Sequence, residues 1–242
     1  MMPPRIADIW VYLSASPLLG LTITLVAYQG AYWLYRRSGF NPLVNPVAIA
    51  VAALVLALRV TDTPYAQYFE GAQFVHFLLG PATVALAVPL YAQWHRLRAA
   101  WRPLLAALFT GSLVAIGSAL ALGRLLGVSD TTLYALAPKS VTAPIAMGIA
   151  EKIGGIPSLT AVLVILTGIS GAALAKWVLD ALRIGDHAVR GFAVGVASHG
   201  IGTARAFQVS EQAGAFAGLG MGLNGVLTAA MLPLLFALAR SW

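Results

Sequence analysis

The chain has 242 residues, 60% of them hydrophobic and only 10% charged, with a formal net charge of +7 and a mean hydropathy of +0.84. A soluble domain carries about 25% charged residues, so a water-soluble globular protein is excluded. The absence of cysteine excludes disulfides, thiolate nucleophiles and thiolate metal sites.

Apolar runs at about residues 9–35, 44–60, 65–94, 104–127, 138–180, 188–209 and 212–239 predict roughly seven crossing segments in one transmembrane domain spanning 1–242. A bilayer core demands roughly 20 apolar residues per helix. The runs do not alternate apolar with polar residues, so helices rather than barrel strands are expected, in an all-α polytopic protein. The start, "MMPPRIADIW", is followed by no clear small-residue cleavage site, and the first span is expected to be retained. If every segment crosses once, Arg36, Arg37, Arg96, Arg98, Arg102, Lys176, Arg183, Arg190 and Arg240 share one side, facing Arg5, Arg59 and Arg124 on the other. The positive-inside rule then puts the N-terminus outside and the C-terminus in the cytoplasm. Basic residues spread over short loops in this way are topological signals and no nucleic-acid face.

The third and fifth runs are too long for one straight helix, so two or three segments are expected to be discontinuous. "FLLGPATVALAVPL" (Phe77 to Leu90) and "IGGIPSLTAVLVIL" (Ile153 to Leu166) align without gaps at Pro81 and Pro157, a faint internal repeat. An interior proline removes a donor and frees carbonyls, which lipid tolerates only where protein or water satisfies them. Helix breaks are therefore expected at Pro81 and Pro157, the alternative being a simple kink or a loop between ordinary helices.

In "APKSVTAPIAMGIAEKIGG" (Ala137 to Gly155), Pro138 suits a first helical turn. Lys139, Ser140 and Thr142 then crowd a helix N-terminus, an anion site in outline. The competing reading is a lysine snorkelling to the headgroup layer. In "ASHGIGTARA" (Ala197 to Ala206), a continuous helix would split the polar groups over two faces. A break at Gly200 and Gly202 lets Ser198, His199, Thr203 and Arg205 converge. The alternative is a tight helix contact with Arg205 at the membrane surface beside Glu211. Near the C-terminus, Gly214, Gly218 and Gly222 have small-xxx-small spacing and are expected to pack helices, within the protomer or across a dimer. Four histidines at 76, 95, 187 and 199 show no i, i+4 pairing, and no catalytic constellation assembles, so neither a metal site nor an enzyme is expected.

Taken together, "GPATVALAVPLY", "PKSVTAPIAMGI" and "GVASHGIGTARA" resemble the three signature blocks of the LrgB/CidB family, in particular its YohK-like bacterial members, over nearly the whole chain. The resemblance implies a multi-pass protein of the bacterial inner membrane with broken or re-entrant helices, distantly like cation/proton antiporters. It also implies a small LrgA/CidA-like membrane partner and a homodimer or higher oligomer. Two functions follow from it. One is secondary transport of small monocarboxylates of the glycolate, glycerate or pyruvate type, as in the related plastid glycolate/glycerate transporter. The other is antiholin-like or holin-like control of murein hydrolases and lysis without substrate movement. Under the first, Lys139, Ser140, Thr142, Ser198, His199, Thr203 and Arg205 match family blocks and become the substrate-binding candidates. No cofactor is implied, while a coupling proton or sodium ion is compatible with it. One departure stands out: the family's acidic residue before the "GAF" element is Ala213 here, with Glu211 two positions earlier.

Overall fold

A computed structural model describes residues 17–240, and within them every regular element is helical. Residues 9–16 of the first expected span, and Arg5 with the N-terminal placement it supported, lie outside the described residues. The chain divides after Ala85 into two compact units.

The first unit holds α1 (Pro17–Arg37), α2 (Pro46–Val60), α3 (Tyr65–Phe77) and α4 (Leu79–Ala85). Gly39 and Phe40 at positive φ turn the chain after α1, and Asn45 caps α2 by accepting from the Val47 and Ala48 N–H groups. Gly20 lets α1 lie against the α3 backbone at Tyr68, where Thr24 and Tyr68 hydroxyls bond at 2.7 Å. Helix α2 is only 15 residues long. At about 1.5 Å per residue it is shorter than a bilayer core, so the expected crossing at 44–60 falls short.

The second unit holds α5 (Ala87–Ala92), α6 (Trp94–Ala99), α7 (Trp101–Leu125), α8 (Asp130–Leu136), α9 (Ala143–Ile153), α10 (Pro157–Ala181), α11 (His187–Val209) and α12 (Glu211–Arg240). Among the described residues, 65–92, 101–125, 157–181 and 211–238 are helical stretches long and apolar enough to cross a membrane. The protein is thus an all-α polytopic membrane protein.

Prolines explain the short helices along 65–125. Pro81, Pro89 and Pro103 each sit third in a helix, three residues after the turn and bend positions Leu78, Leu86 and Ala100 that separate one helix from the next. In a continuous helix each ring would clash with the carbonyl four residues back; in a first turn it does not. The expected break at Pro81 is therefore a restart just ahead of it. Pro157 is the first residue of α10, after left-handed Gly154 closes α9, so that site is the loop between two helices. The Pro81/Pro157 alignment consequently pairs positions with different structural roles.

The second unit is organised by two fold-backs. In the first, α8 and α9 are joined by the tip 137–142, and the chain returns so that Gly155 meets the α8 backbone at Tyr134 and Ala135. Thr160 of α10 donates to the Ala135 carbonyl at 3.0 Å. In the second, α11 breaks at His199 (φ 41, ψ −135) and doubles back. Gly195 and Ala206 would lie about 16 Å apart in a straight helix, yet Gly195 meets Ala217 of α12 and Ala206 shares one buried cluster with Ala213 and Ala217. Gly191 and Gly195 of the first arm match Ala213 and Ala217, so α12 runs parallel to that arm; Phe207 and Thr203 of the return arm match Gly214 and Met221, so α12 runs antiparallel to it.

The expected crossing at 188–209 is thus a re-entrant hairpin. Its two ends lie at one end of the unit, and α12 carries the chain to the other. The C-terminal end of α12 and the basic turn at Arg183 to Arg190 accordingly lie at opposite ends of the second unit, where one straight crossing by 188–209 would have put them at the same end. Of the glycine stripe expected to pack helices, Gly214 does so within the protomer, whereas a side chain at Gly222 would meet nothing within 4 Å and at Gly218 only Leu86 at ordinary distance. Close approach within the protomer uses Gly214 under the Phe207 ring together with Gly191 and Gly195 against the Ala213 and Ala217 carbonyls and Gly220 against Phe192.

Hairpin-plus-helix occurs twice, as 130–181 and 187–240. Gly168-Ile169-Ser170-Gly171 begins at the twelfth residue of α10, and Gly222-Leu223-Asn224-Gly225 at the twelfth of α12. Helix α10 is antiparallel to the first arm of α11, with Gly171 beside Ser198 and Asp180 paired to Arg190 at 2.6 Å. Helix α12 parallels that arm, so α10 and α12 run in opposite directions. The two halves form an inverted repeat.

Candidate functional site

The two hairpin tips meet in the middle of the second unit. Asn224, 1% exposed, donates through Nδ2 to the Ser140 carbonyl of the first tip at 3.2 Å and to the Val196 carbonyl of the second at 3.0 Å. Its Oδ1 accepts from Ser112 of α7 and from Thr228. The break at His199 explains why Val196 needs this bond: its regular helical partner would be the N–H of residue 200, beyond the break. Buried carbonyls without partners are costly, and Asn224 satisfies one from each tip.

The first tip is a run of tight turns. Lys139 N–H donates to the Leu136 carbonyl at 3.1 Å and Val141 N–H to the Pro138 carbonyl at 3.2 Å. The expected helix start at Pro138 is displaced: α9 begins at Ala143, with Thr142 in the N-cap position and Pro144 in its first turn. A helix from 138 would have placed Pro144 in its interior, against the carbonyl of Ser140. Lys139 and Ser140 therefore stand before the helix, and Thr142 makes no side-chain cap.

The second tip is tight and dry. His199 is 4% exposed, and its Nε2–H donates to the Val164 carbonyl of α10 at 2.9 Å. Gly168 makes room for the ring, since a Cβ there would lie under 3 Å from it, and Gly171 does the same for the Ser198 hydroxyl. Thr203 donates back to the His199 carbonyl at 2.8 Å. The expected opening at Gly200 and Gly202 occurs one residue earlier. Gly202 instead lets the return arm press on Ser198 and Val194, and Gly200 touches only Met221.

Between the tips lies a cavity of about 430 Å³ lined by Lys139 and Ser140, by Ala197 and Ser198, and by Thr167, Ser170 and Gly171 of α10, with Leu166 and Leu174 at its exposed side. Lys139 is half-buried; among the described residues its ammonium has one hydrogen-bond partner, Ser140 Oγ at 3.4 Å, and no carboxylate within ion-pair distance. Of the sequence candidates, Lys139, Ser140 and Ser198 share this lining. Thr142, His199, Thr203 and Arg205 are not in it; Arg205 lies on the return arm and donates to Gln208 at 3.3 Å. Thr167, Ser170 and Gly171 were not anticipated, although the GISG/GLNG correspondence was available in the sequence. Among the described residues no cluster of potential metal ligands occurs.

Oppositely directed hairpin-plus-helix halves meeting at polar tips, with a cationic side chain beside the cavity between them, mark a polytopic membrane protein of the kind in which broken helices face one another across a cavity. The profile of the LrgB-like family matches residues 24–238. The chain is 36% identical to Bacillus subtilis YxaC, over 88% of this chain and 93% of that protein, and 34% identical to YwbG of the same organism, over 91% and 97%. It is 29% identical to the antiholin-like protein LrgB of Bacillus mycoides, over 90% and 95%. No solved structure matches it. The chain belongs to the LrgB family.

Proposed function

We propose that this protein is a secondary transporter of small monocarboxylates of the glycolate, glycerate or pyruvate type, acting with an LrgA/CidA-like membrane partner and without covalent chemistry. The observation that carries the reading is Lys139: a half-buried cation with no carboxylate partner among the described residues, facing a cavity between two re-entrant tips. A half-buried charge in so apolar a chain is costly unless it is paired, and a bound carboxylate pairs it. Hydroxyls of Ser140, Ser198, Thr167 and Ser170 line the same space and can donate to the substrate's oxygens. Inverted repeats support alternating exposure of such a site by rocking of one part against another. The protein is read as resident in the bacterial inner membrane, as a homodimer or higher oligomer. The end bearing Arg96, Asp186 and the turn at Arg183 to Arg190 is read as cytoplasmic by the positive-inside rule, with the end of α12 opposite.

The names of the Bacillus LrgB relatives favour a second reading, antiholin-like regulation of lysis through a membrane partner. Purified protein in liposomes, assayed for radiolabelled glycolate uptake with and without the partner, separates the two. The transport reading expects uptake in at least one sample; no uptake in either sinks it and leaves the regulatory one.

A further inference from the structure

The two tips bring the dipeptides Lys139-Ser140 and Ala197-Ser198 to the lining of one cavity. Each pair lies where a half-helix turns back, and each serine is buried beside the cavity. Each is followed by a long helix carrying the Gly-x-x-Gly motif at the same position. The contacts cross over: Gly171 of the first helix accommodates Ser198 of the second tip, while Gly225 of the second helix faces Ile145 of the first hairpin. The two serines are alike, but the residues before them differ. One is a cation and the other a methyl group, and Lys139 is the sole ionisable residue in the lining among the described residues.

We propose that Ala197 is a specificity-determining residue that limits this site to substrates with a single carboxylate. The inference rests on the transport reading and deepens it. A monoanion places its carboxylate at Lys139 and its uncharged end against Ala197 and Ser198. A dianion of similar size brings a second carboxylate to a wall that offers hydroxyls and no cation, where leaving water is strongly unfavourable. Ala197 is exposed and lines this cavity as well as a neighbouring one between α7 and the first arm of α11, so a longer side chain has room there.

Glycolate and tartronate form a matched pair of probes, since tartronate is glycolate with one hydrogen replaced by a second carboxylate. Uptake of both is measured in proteoliposomes of the wild type, Ala197→Lys and Ala197→Met. Wild-type protein is expected to favour glycolate by about tenfold or more, the discrimination given by roughly one unpaired charge. Ala197→Lys should shift the ratio toward tartronate by a similar factor, and Ala197→Met, of comparable length without charge, should slow both and leave the ratio where it was. Wild-type protein that takes up both equally overturns the assignment, whether or not the lysine variant folds. So does a folded Ala197→Lys protein with an unchanged ratio, or a methionine variant that shifts the ratio as much. Failure of the wild type to move either probe brings down the transport reading itself, a different result from a failed selectivity.

Discussion

The two tips have the same place in the repeat and are built in opposite ways. The first spends six residues, 137–142, on turns and presents a half-buried lysine. The second makes its reversal at one residue, His199, clamped by the Val164 carbonyl of α10 and backed by Thr203. A non-glycine residue at φ 41 is strained by about 1–3 kcal/mol and persists only when its surroundings hold it. The difference teaches a division of labour: one tip supplies charge on a short, turn-rich segment, and the other supplies a rigid wall.

Six substitutions bear on that contrast, beginning with the largest expected effect. Under the transport reading, Lys139→Gln should lower carboxylate uptake by about a hundredfold or more, because it removes the one cation that lines the cavity among the described residues, while thermal stability in detergent barely moves. Unchanged uptake together with an intact size-exclusion profile would erase the functional distinction between the tips. Asn224→Ala strands the Ser140 and Val196 carbonyls at once and should cost about 2–4 kcal/mol, read as a lower Tm. A Tm equal to that of the wild type means that the tips are held by something else.

Two glycine comparisons sharpen the picture further. His199→Ala loses the clamp and keeps the strain, whereas His199→Gly loses the clamp and relieves the strain. The glycine variant should therefore be the more stable of the two by about 1 kcal/mol; the reverse order contradicts a strained tip. Gly195→Ala drives a methyl into the Ala217 carbonyl and should destabilise by about 1–3 kcal/mol. Gly222→Ala meets open space and should change Tm least, by about half a kcal/mol or less in free-energy terms.

The membrane class was legible because composition alone decides it, and the interruption within 138–180 was legible because Gly-Gly-x-Pro can hardly be helical. The fold-back at His199 was not. Apolar periodicity is the same for a straight helix and for two antiparallel arms, and the reversal is held by Val164 and Asn224, residues distant in sequence. The start of α9 was misplaced because Pro138 and Pro144 each qualify for a first turn, and only the clash of the later one inside a longer helix decides between them. The packing faces of α12 were only partly legible, because small residues recur around several faces of that helix and spacing alone does not say that Gly214 and Gly220, rather than Gly218 and Gly222, meet α11. At the site, Lys139, Ser140 and Ser198 were legible as polar groups in apolar surroundings. The share of α10 was hidden in a run of glycine and serine that looks like ordinary helix contact.

Asn224 has a consequence for biogenesis. Chains emerge from the ribosome N-terminal end first, so both tips are synthesised well before the amide that joins them. Until the last helix is inserted, the Ser140 and Val196 carbonyls lack the partner that Asn224 provides. The keystone is delivered at the end of translation, and a chain stopped before residue 224 would contain every cavity-lining residue without the bond that sets them in register.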